Sequence, residues 1–542
     1  MISRKSFLPL IWPAVFYTAA FILPVLSILK YAGFSGIKLK ELLFSGYYAK
    51  VYLFTVKQAF WSTVLSVAAG LPGAWILGRF MFPGRRLLKS ISAVPFVMPP
   101  IIVVLGFILV FGNSGIINKF IQLIFPHSKP FRILYSFRGI ILAHVFYNFP
   151  LTIRIVSDSL SRIPMDTFKA AKSLGAGRIR IFFNVTLPII LPSILTAAAI
   201  TFLYCFMSFA IILVLGGSPD FSTLEVEIYR LAKYQFDFSK ASILAVIETF
   251  TALLLLAAYL YGISRLKFSS EESSENTEVK PPVQPGITGK ILSLLYSVPV
   301  FILIFLPLFM IIMYSFLYRP TRGSQQIFTL MHWIDFFKGA GSSGRTALKA
   351  LSWTLFIGLF TALNTVITAS LAAWRTNKTA GILSMLPLGI SPVMLGLGFL
   401  IISSRLNISM NLRVVYIIAA HTVISLPFSY AVISERLKRI PDRIINAAAV
   451  SGASPFRILT TVKLPFAGKA VLTSFIFSFA ISAGEMNSTI ILAGGNITTI
   501  PIAIYRMIGA YNIYGASVMA SILIIISAAG FAAMELSREE NN

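Results

Sequence analysis

The sequence is poor in charged residues, in acidic residues above all, and in cysteine. Charged residues make up 12% of its 542 positions, whereas soluble proteins carry about 25%, and this excludes an ordinary cytosolic enzyme. Hydrophobic residues make up 57%, which excludes a disordered chain because disorder requires low hydrophobicity. The sequence has a single cysteine, Cys205, which lies in an apolar run. Because there is only one, a disulfide scaffold and a multi-cysteine metal site are also excluded.

Motifs for bond chemistry are missing as well. The sequence contains no G-x-x-x-x-G-K-[ST] phosphate-binding loop, so hydrolysis of ATP would require a separate chain. None of its 4 histidines pairs with a glutamate at zinc-protease spacing, and no nucleophile motif stands out. We therefore expect no catalytic residue, no metal site and no cofactor bound by this chain.

The net charge is strongly positive, at +27 from 46 Lys and Arg against 19 Asp and Glu. In a soluble protein this excess would suggest a nucleic-acid partner. In so apolar a chain it indicates the basic cytoplasmic loops of a membrane protein and contact with anionic lipid. We expect membrane lipid, and no nucleic acid, among the partners.

Long apolar runs dominate the sequence. A membrane-spanning helix needs about 20 mostly apolar residues, and about twelve such runs are present. They lie near residues 11–29, 59–78, 93–111, 139–156, 189–213, 241–262, 291–315, 351–373, 382–402, 414–432, 470–492 and 516–534. This pattern predicts an all-α polytopic membrane protein.

The basic residues predict the orientation of the spans. With the N-terminus inside, the loops near 79–90, 157–187 and 433–469 are cytoplasmic, and each is rich in Lys and Arg, as the positive-inside bias requires. The predicted outside loop near 30–58 is also basic and departs from this pattern. Both chain termini are then expected in the cytoplasm.

The chain contains an internal repeat. Residues 95–107 correspond to 387–399, with prolines and a Gly-Phe pair at matching positions. His144 and His421 also match, and we expect both to hydrogen-bond within the packed core rather than to line a pathway. Because each copy has six runs, the copies cross the membrane in the same orientation and can enclose a pathway on their common axis.

The repeat divides the chain into three parts. We assign the first half to residues 1–267, a cytoplasmic linker to 268–290, and the second half to 291–542. The linker is rich in Ser, Glu and Pro, which favours a flexible connection, and an ordered regulatory patch is the alternative.

The loop between the fourth and fifth spans of each half carries the most informative motif. The copies read RIPMDTFKAAKSLGAGRIRIFFNVTLP at 162–188 and RIPDRIINAAAVSGASPFRILTTVKLP at 439–465. A proline can start a helix, paired alanines extend it with little bulk, and a glycine ends it. We predict a short surface helix in each half that fits a groove on a partner, although one copy alone could be an ordinary amphipathic helix. The predicted docking residues are Asp166, Lys169, Ala170, Ala171, Gly175, Asn446, Ala447, Ala448 and Gly452.

This motif resembles the EAA signature of the permease subunits of binding-protein-dependent ABC importers, EAA-x3-G-x9-I-x-LP. Both copies keep the alanine pair, the glycine and the Leu-Pro, whereas Lys169 and Asn446 replace the acidic residue and valine replaces isoleucine. The resemblance implies a type I importer permease with two six-helix repeats, whose motif helices dock on two separate ATP-binding subunits that hydrolyse ATP. It also implies a bacterial cytoplasmic (inner) membrane location, an external binding protein that delivers the substrate, and no enzymatic activity in this chain.

The stretches 215–245 and 493–521 resemble those of fused thiamine permeases. The resemblance implies a small, thiamine-like cation as cargo, with iron(III) as the alternative, and contact of the binding protein with the outside loops near 216–240 and 493–515. A more distant alternative is an ion-coupled secondary transporter, which can also contain parallel repeats but predicts several intramembrane charges. A membrane enzyme or scaffold would predict a cluster of catalytic polar residues, and we find none.

One acidic residue, Glu485, is expected inside a span, with Asn487 close by. A buried carboxylate in a membrane is costly and usually faces a cavity or a partner, so we expect these residues to line the pathway and favour a cationic substrate. A structural hydrogen bond to a neighbouring helix is the alternative. Alignment of the halves places Met207 opposite Glu485, which makes Ser208 and Phe209 weaker pathway candidates.

Overall fold

The architecture is known from a computed structural model, which is almost entirely helical. It describes residues 8–33, 46–92, 98–216, 219–267, 286–318, 327–339, 341–374, 378–409, 412–494 and 496–539. Within these ranges 10 helices are long and apolar enough to cross a membrane, or up to 12 if two bent helix pairs are each counted as one span. The predicted all-α polytopic fold is confirmed, since each predicted apolar run is largely helical within the described residues.

The first half begins with a helix that contains one π-helical turn, formed by Leu8–Tyr17, Thr18–Ile22 and Leu23–Ala32. The helices that follow are Gly46–Arg79, Arg85–Ser92, Pro100–Phe111, Ile116–Ile124, Phe137–Ser161, Met165–Ser173, Arg178–Ile181, Phe182–Thr186, Leu187–Phe206, Ala210–Leu215, Pro219–Phe221, Leu224–Arg230, Leu231–Gln235 and Phe238–Lys267. In this half the apolar residues occur in long runs rather than in the apolar/polar alternation that is typical of strands. The described residues of this half contain no sheet.

The second half repeats this order with one small addition. Its helices are Ile287–Ser315, Met331–Lys338, Gly341–Ala372, Lys378–Met385, Leu386–Gly389, Pro392–Arg405, Arg413–Lys438, Asp442–Val450, Pro455–Ile458, Leu459–Lys463, Leu464–Phe466, Gly468–Gly484, Asn487–Leu492, Ile500–Gly509 and Ile513–Glu539. The addition is a two-stranded antiparallel ladder in which Leu317–Tyr318 pairs with Ile327–Phe328.

The structure differs from the sequence prediction at two boundaries. The outside loop predicted near 30–58 is largely helical where it is described, because the second span already begins at residue 46 in helix Gly46–Arg79. Lys50 and Lys57 lie on this helix, and the ammonium group of Lys57 lies 5.3 Å from the ring centre of Phe137. Lys30 lies on the preceding helix Leu23–Ala32, and Lys38 and Lys40 lie outside the described residues. At the other boundary, residues 287–290 belong to helix Ile287–Ser315, while residues 268–285 of the predicted linker lie outside the described ranges.

The first helix of each half packs against the other half. Gly106 lies against Pro307, and a Cβ atom on Gly106 would come within 2.7 Å of the Pro307 side chain. The equivalent Gly398 lies against Pro24 so closely that a Cβ atom would come within 2.6 Å of the Pro24 carbonyl oxygen. The Ser27 hydroxyl also donates to the carbonyl oxygen of Gly398 at 3.2 Å. These contacts join the halves around a common centre, and only glycine allows so close an approach.

Candidate functional site

A cavity of about 330 Å³ lies between the two halves. Its wall includes all four residues predicted to line a pathway, which are Ser208 and Phe209 from the first half and Glu485 and Asn487 from the second. The aromatic lining residues are Tyr147, Tyr204, Phe209, Phe428 and Phe477. The cavity therefore combines aromatic faces with one carboxyl group and a few neutral polar groups.

The four lining residues predicted from the sequence lie at two breaks in membrane-spanning helices. In the first half, helix Leu187–Phe206 ends before residues 207–209 and the chain re-enters helix at Ala210. In the second half, helix Gly468–Gly484 ends before residues 485–486 and helix Asn487–Leu492 follows. The sequence predicted continuous spans here, because a broken span has the same apolar composition as an unbroken one.

Glu485 lies at the second break rather than inside a helix, which corrects the sequence prediction. Its Oε1 atom accepts hydrogen bonds from the Ser488 backbone N–H at 2.9 Å and from the Ser488 hydroxyl at 3.4 Å. Within the part of the chain that the structure describes, no Lys, Arg or His side chain forms an ion pair with it. A carboxyl group that lines a cavity without a cationic neighbour favours a cationic ligand.

A buried histidine bonds to each helix break. His144 hydrogen-bonds through Nδ1 to the Ser62 hydroxyl at 3.0 Å and through Nε2 to the Ser208 hydroxyl at 2.9 Å. His421 bonds through Nδ1 to Ser482 at 2.7 Å and through Nε2 to Thr489 at 2.8 Å. Both histidines form the predicted hydrogen bonds in the buried interior. His144 also lines the cavity, which differs from the expectation that neither histidine would line a pathway.

Asn148 contributes a polar atom that the sequence analysis missed. It lines the cavity, and its amide nitrogen donates to the His144 carbonyl oxygen at 2.9 Å and to the Cys205 sulfur at 3.4 Å. Its Oδ1 atom is buried without a hydrogen-bond partner among the described residues. An unpaired buried carbonyl oxygen is costly, so this atom can accept a hydrogen bond from any donor group that reaches it.

Two further buried carboxyl groups lie near the cavity. Glu225 and Glu248 are 0% and 1% exposed, and their carboxyl groups lie close enough to interact, with Ser391 also near Glu225. Ser391 lies between two residues of the cavity wall, Ile390 and Pro392. Two carboxyl groups in such contact cannot both be charged. Only one acid was predicted within a span, although Glu248 also lies in a predicted span, the run 241–262.

The two predicted docking helices are present and have matching ends. Helix Met165–Ser173 follows Pro164, and helix Asp442–Val450 follows Pro441, so each proline caps its helix rather than forming its first turn. Each helix ends at a glycine in the left-handed region, with φ of 79° at Gly175 and 83° at Gly452. The N–H of the next residue then bonds back to a helix carbonyl, at 3.1 Å in both copies, which is the Schellman arrangement.

The predicted docking residues form a similar surface in both copies. Lys169 and Ala170 are exposed and Ala171 is partly buried, and Asn446, Ala447 and Ala448 repeat this order. The copies differ in charge, because Lys169 forms an exposed ion pair with Asp166 at 3.2 Å whereas Asn446 is neutral. The helices therefore offer one shape with two different charge patterns.

The sequence matches the family model described as "Binding-protein-dependent transport system inner membrane component" over residues 70–269. It is 26% identical over 494 residues to the thiamine transport system permease protein of Brucella abortus, covering 89% of this chain and 86% of that protein. The Haemophilus influenzae protein of the same name is 25% identical over 506 residues, covering 92% and 90%. A probable sulfate transport system permease protein from Helicosporidium sp. subsp. Simulium jonesii is 30% identical over 198 residues, covering 36% of this chain and 71% of that protein.

Among solved structures, a bacterial alginate ABC transporter in complex with its alginate pentasaccharide-bound periplasmic protein contains a chain with a TM-score of 0.40 and 17% identity. The match covers 49% of this chain and 94% of that one.

Proposed function

Because this chain belongs to the family of binding-protein-dependent transport system inner membrane components, we propose that it moves a thiamine-like organic cation across the bacterial inner membrane. An external binding protein delivers the cation, and two separate ATP-binding subunits supply the energy by hydrolysing ATP. The chain itself catalyses no bond chemistry and holds no cofactor. Both termini lie in the cytoplasm, on the same side as the docking helices.

The observation that carries the proposal is the chemistry of the cavity wall. Thiamine combines a positively charged thiazolium ring with an aminopyrimidine ring. The aromatic side chains of Tyr147, Tyr204 and Phe428 line the cavity and can attract a cationic ring through their π faces. Glu485 supplies the opposite charge, and the unpaired Oδ1 of Asn148 can accept a hydrogen bond from an amino group.

The cavity favours an organic cation over iron(III). Its volume of about 330 Å³ lies at the lower end of the range for small-molecule sites. A hard metal ion prefers several oxygen ligands, whereas Glu485 is the single acid in this wall. The thiamine permeases of Brucella abortus and Haemophilus influenzae align with about nine-tenths of the chain, which supports the same cargo.

In each half, the helical segments that follow the docking helix lead to the cavity. In the first half, Arg178–Ile181, the π turn Phe182–Thr186 and Leu187–Phe206 run from the docking helix to the first break. The guanidinium of Arg79 stacks over the ring of Phe168 at 3.6 Å, which ties the docking helix to a second span. Motion of the ATP-binding subunits would move these helices and thereby open the cavity to one side or the other.

The test is uptake into membrane vesicles that contain the assembled transporter and its binding protein. We expect labelled thiamine to accumulate on addition of ATP, and unlabelled iron(III) not to compete. Glu485→Gln should reduce uptake about tenfold, since losing one favourable charge interaction of about 1.4 kcal/mol has that effect. Glu435→Gln is the matched control, because Glu435 is 69% exposed and pairs with Arg439 away from the cavity.

Three results would overturn the proposal. Competition by iron(III) but not by unlabelled thiamine would assign the cargo to the metal. Unchanged thiamine uptake in Glu485→Gln would remove the carboxyl group from the pathway. Uptake driven by an ion gradient in the absence of ATP would favour a secondary transporter.

A further inference from the structure

The segment between the broken span and the last span of the first half is held firmly to that half. We call residues 224–235, which form helices Leu224–Arg230 and Leu231–Gln235, the strap. The N–H of Leu224 donates to the Thr55 hydroxyl at 3.1 Å. The carboxylate of Glu227 accepts a hydrogen bond from the Tyr47 hydroxyl at 2.6 Å. The first part of the strap is thus fixed to helix Gly46–Arg79.

The end of the strap reaches into the other half through Lys233. Its ammonium group donates to the carbonyl oxygens of Ile491 at 3.1 Å and Ala493 at 2.8 Å. Both carbonyls lie at the C-terminal end of helix Asn487–Leu492, where carbonyl groups have no partner within the helix and the helix dipole is negative. Lys233 therefore satisfies backbone groups that the helix itself leaves unpaired.

The surroundings of Lys233 indicate that its bonds to the two carbonyl groups hold it in a partly buried position. The charged groups that act on it, Arg413 and Arg506, repel it, and it forms no ion pair with an acid among the described residues. Burial, followed by the charges of Arg413 and Arg506, lowers the pKa of Lys233 to about 8. A lysine placed at such cost, without an acidic partner, is held by the two carbonyl groups.

The other half has the anchor of the strap but lacks the lysine. The N–H of Ile500 donates to the Thr354 hydroxyl at 2.8 Å, as Leu224 does to Thr55. Counting on from the matching Tyr-Arg pairs, Lys233 corresponds to Gly509, and space around Gly509 is open. The bond between halves is therefore made on one side only.

We propose that Lys233 is a latch that holds helix Asn487–Leu492, and with it the position of Glu485 at the other end of this helix, against the first half. Opening of the cavity at the strap end requires the latch to release. Given the function proposed above, the strap lies where the external binding protein would dock, so docking would act on Glu485 through Lys233. Lys233 is a positioning residue, since it does not line the cavity.

The test measures how readily a reagent enters the cavity. Ala480 lines the cavity, and Ala480→Cys in a Cys205→Ala background provides one reporter thiol, since Cys205 is the only cysteine. The protein is studied in lipid nanodiscs with a membrane-impermeant thiol reagent. Lys233→Met should raise the labelling rate about tenfold, as expected for the loss of charge-assisted hydrogen bonds from the closed state. Lys233→Gln should give an intermediate labelling rate, and Lys233→Arg should be labelled at nearly the original rate.

Controls separate the latch from general destabilisation. Lys240→Met removes a lysine that pairs with Asp237 at 2.9 Å and should leave the labelling rate unchanged. The midpoint of thermal unfolding is measured for every variant, so that a poorly folded Lys233→Met would leave Lys233→Gln and Lys233→Arg as the comparison. Equal labelling rates in Lys233→Met, Lys233→Gln, Lys233→Arg and the original chain would overturn the proposal. Because the assay needs no ATP, partner or substrate, that result would not bear on the proposed function.

Discussion

The two halves of this molecule share their packing but not their buried charge. Both halves use a threonine to bind a backbone N–H, Thr55 and Thr354, and both end a surface helix at a left-handed glycine. A buried histidine bonds to a broken span in each. These shared features are hydrogen bonds to backbone groups and close packing contacts. Both repeats need them in order to keep the same fold.

The differences lie where a cargo and the transport cycle would act. Glu485 occupies the second break while Met207 occupies the equivalent place in the first. Lys233 has Gly509 as its counterpart. When Ala241-Ser242 is matched with Ala516-Ser517, Glu248 corresponds to Leu523. A single carboxyl group on one wall allows a cation to bind in one orientation. The comparison shows that the two halves share the contacts that hold the frame and differ in the polar groups near the cavity.

The largest effect is expected from the glycines that join the halves. Gly398→Leu and Gly106→Leu each place a side chain against a proline of the other half, and we expect either change to cost about 3 kcal/mol, because overpacking against backbone cannot relax. Gel filtration and the thermal unfolding midpoint in detergent measure this loss. Gly262→Leu, in open space, is the control. A severe loss from one glycine and none from the other would contradict a shared frame.

An intermediate effect should distinguish Glu248 from its counterpart in the second half, Leu523. Leu523 is 0% exposed, and Leu523→Gln should lower the free energy of unfolding by about 2 kcal/mol, because it buries an unpaired amide. The same side chain at the equivalent Glu248 should cost less than about 1 kcal/mol, since Glu248→Gln removes one of two carboxyl groups that cannot both be charged. Equal losses, measured by chemical denaturation, would show that the two positions are not different environments.

The smallest effect concerns the threonine hydroxyls. Thr55→Val and Thr354→Val each leave a backbone N–H without its acceptor, and each should cost about 1 kcal/mol. Thr63→Val is the control, because the Thr63 hydroxyl bonds only to the carbonyl oxygen of Ala59 in its own helix. Thermal unfolding of the three variants measures the difference. A Thr63 variant as unstable as the other two would mean that loss of packing, not the hydrogen bond, explains the result.

Much of the fold was predictable because the signals for it are local. Apolar runs of about 20 residues predict spans directly, and the Pro, Ala, Ala, Gly spacing predicted both docking helices, including the left-handed residues Gly175 and Gly452. Glu485 and Asn487 were predicted to line a pathway, and both line the central cavity. Their roles in transport, and that of the docking helices in binding a partner, remain predictions.

The features that were missed depend on contacts between distant parts of the chain. A basic loop was predicted where helix Gly46–Arg79 begins, because the apolar run starts only near residue 59 and the polar residues before it have the composition of a loop. The breaks at 207–209 and 485–486 leave no trace in composition. Lys233 has the sequence context of an exposed lysine, and only the placement of Ile491 and Ala493 gives it two carbonyl partners.

Co-purification of ATPase activity tests the central claim most directly. The tagged chain is isolated in mild detergent from its own membranes, and the eluate is assayed for ATP hydrolysis. Gly175→Arg with Gly452→Arg should distort both docking helices, because an L-residue at positive φ costs about 1–2 kcal/mol. Gly177→Arg with Gly468→Arg adds the same charge at glycines with open space and no left-handed backbone. We predict ATPase activity with the original chain and the Gly177/Gly468 variant, and none with the Gly175/Gly452 variant. Equal activity in all three, or no ATPase with the original chain, would contradict the assignment of these helices to an importer.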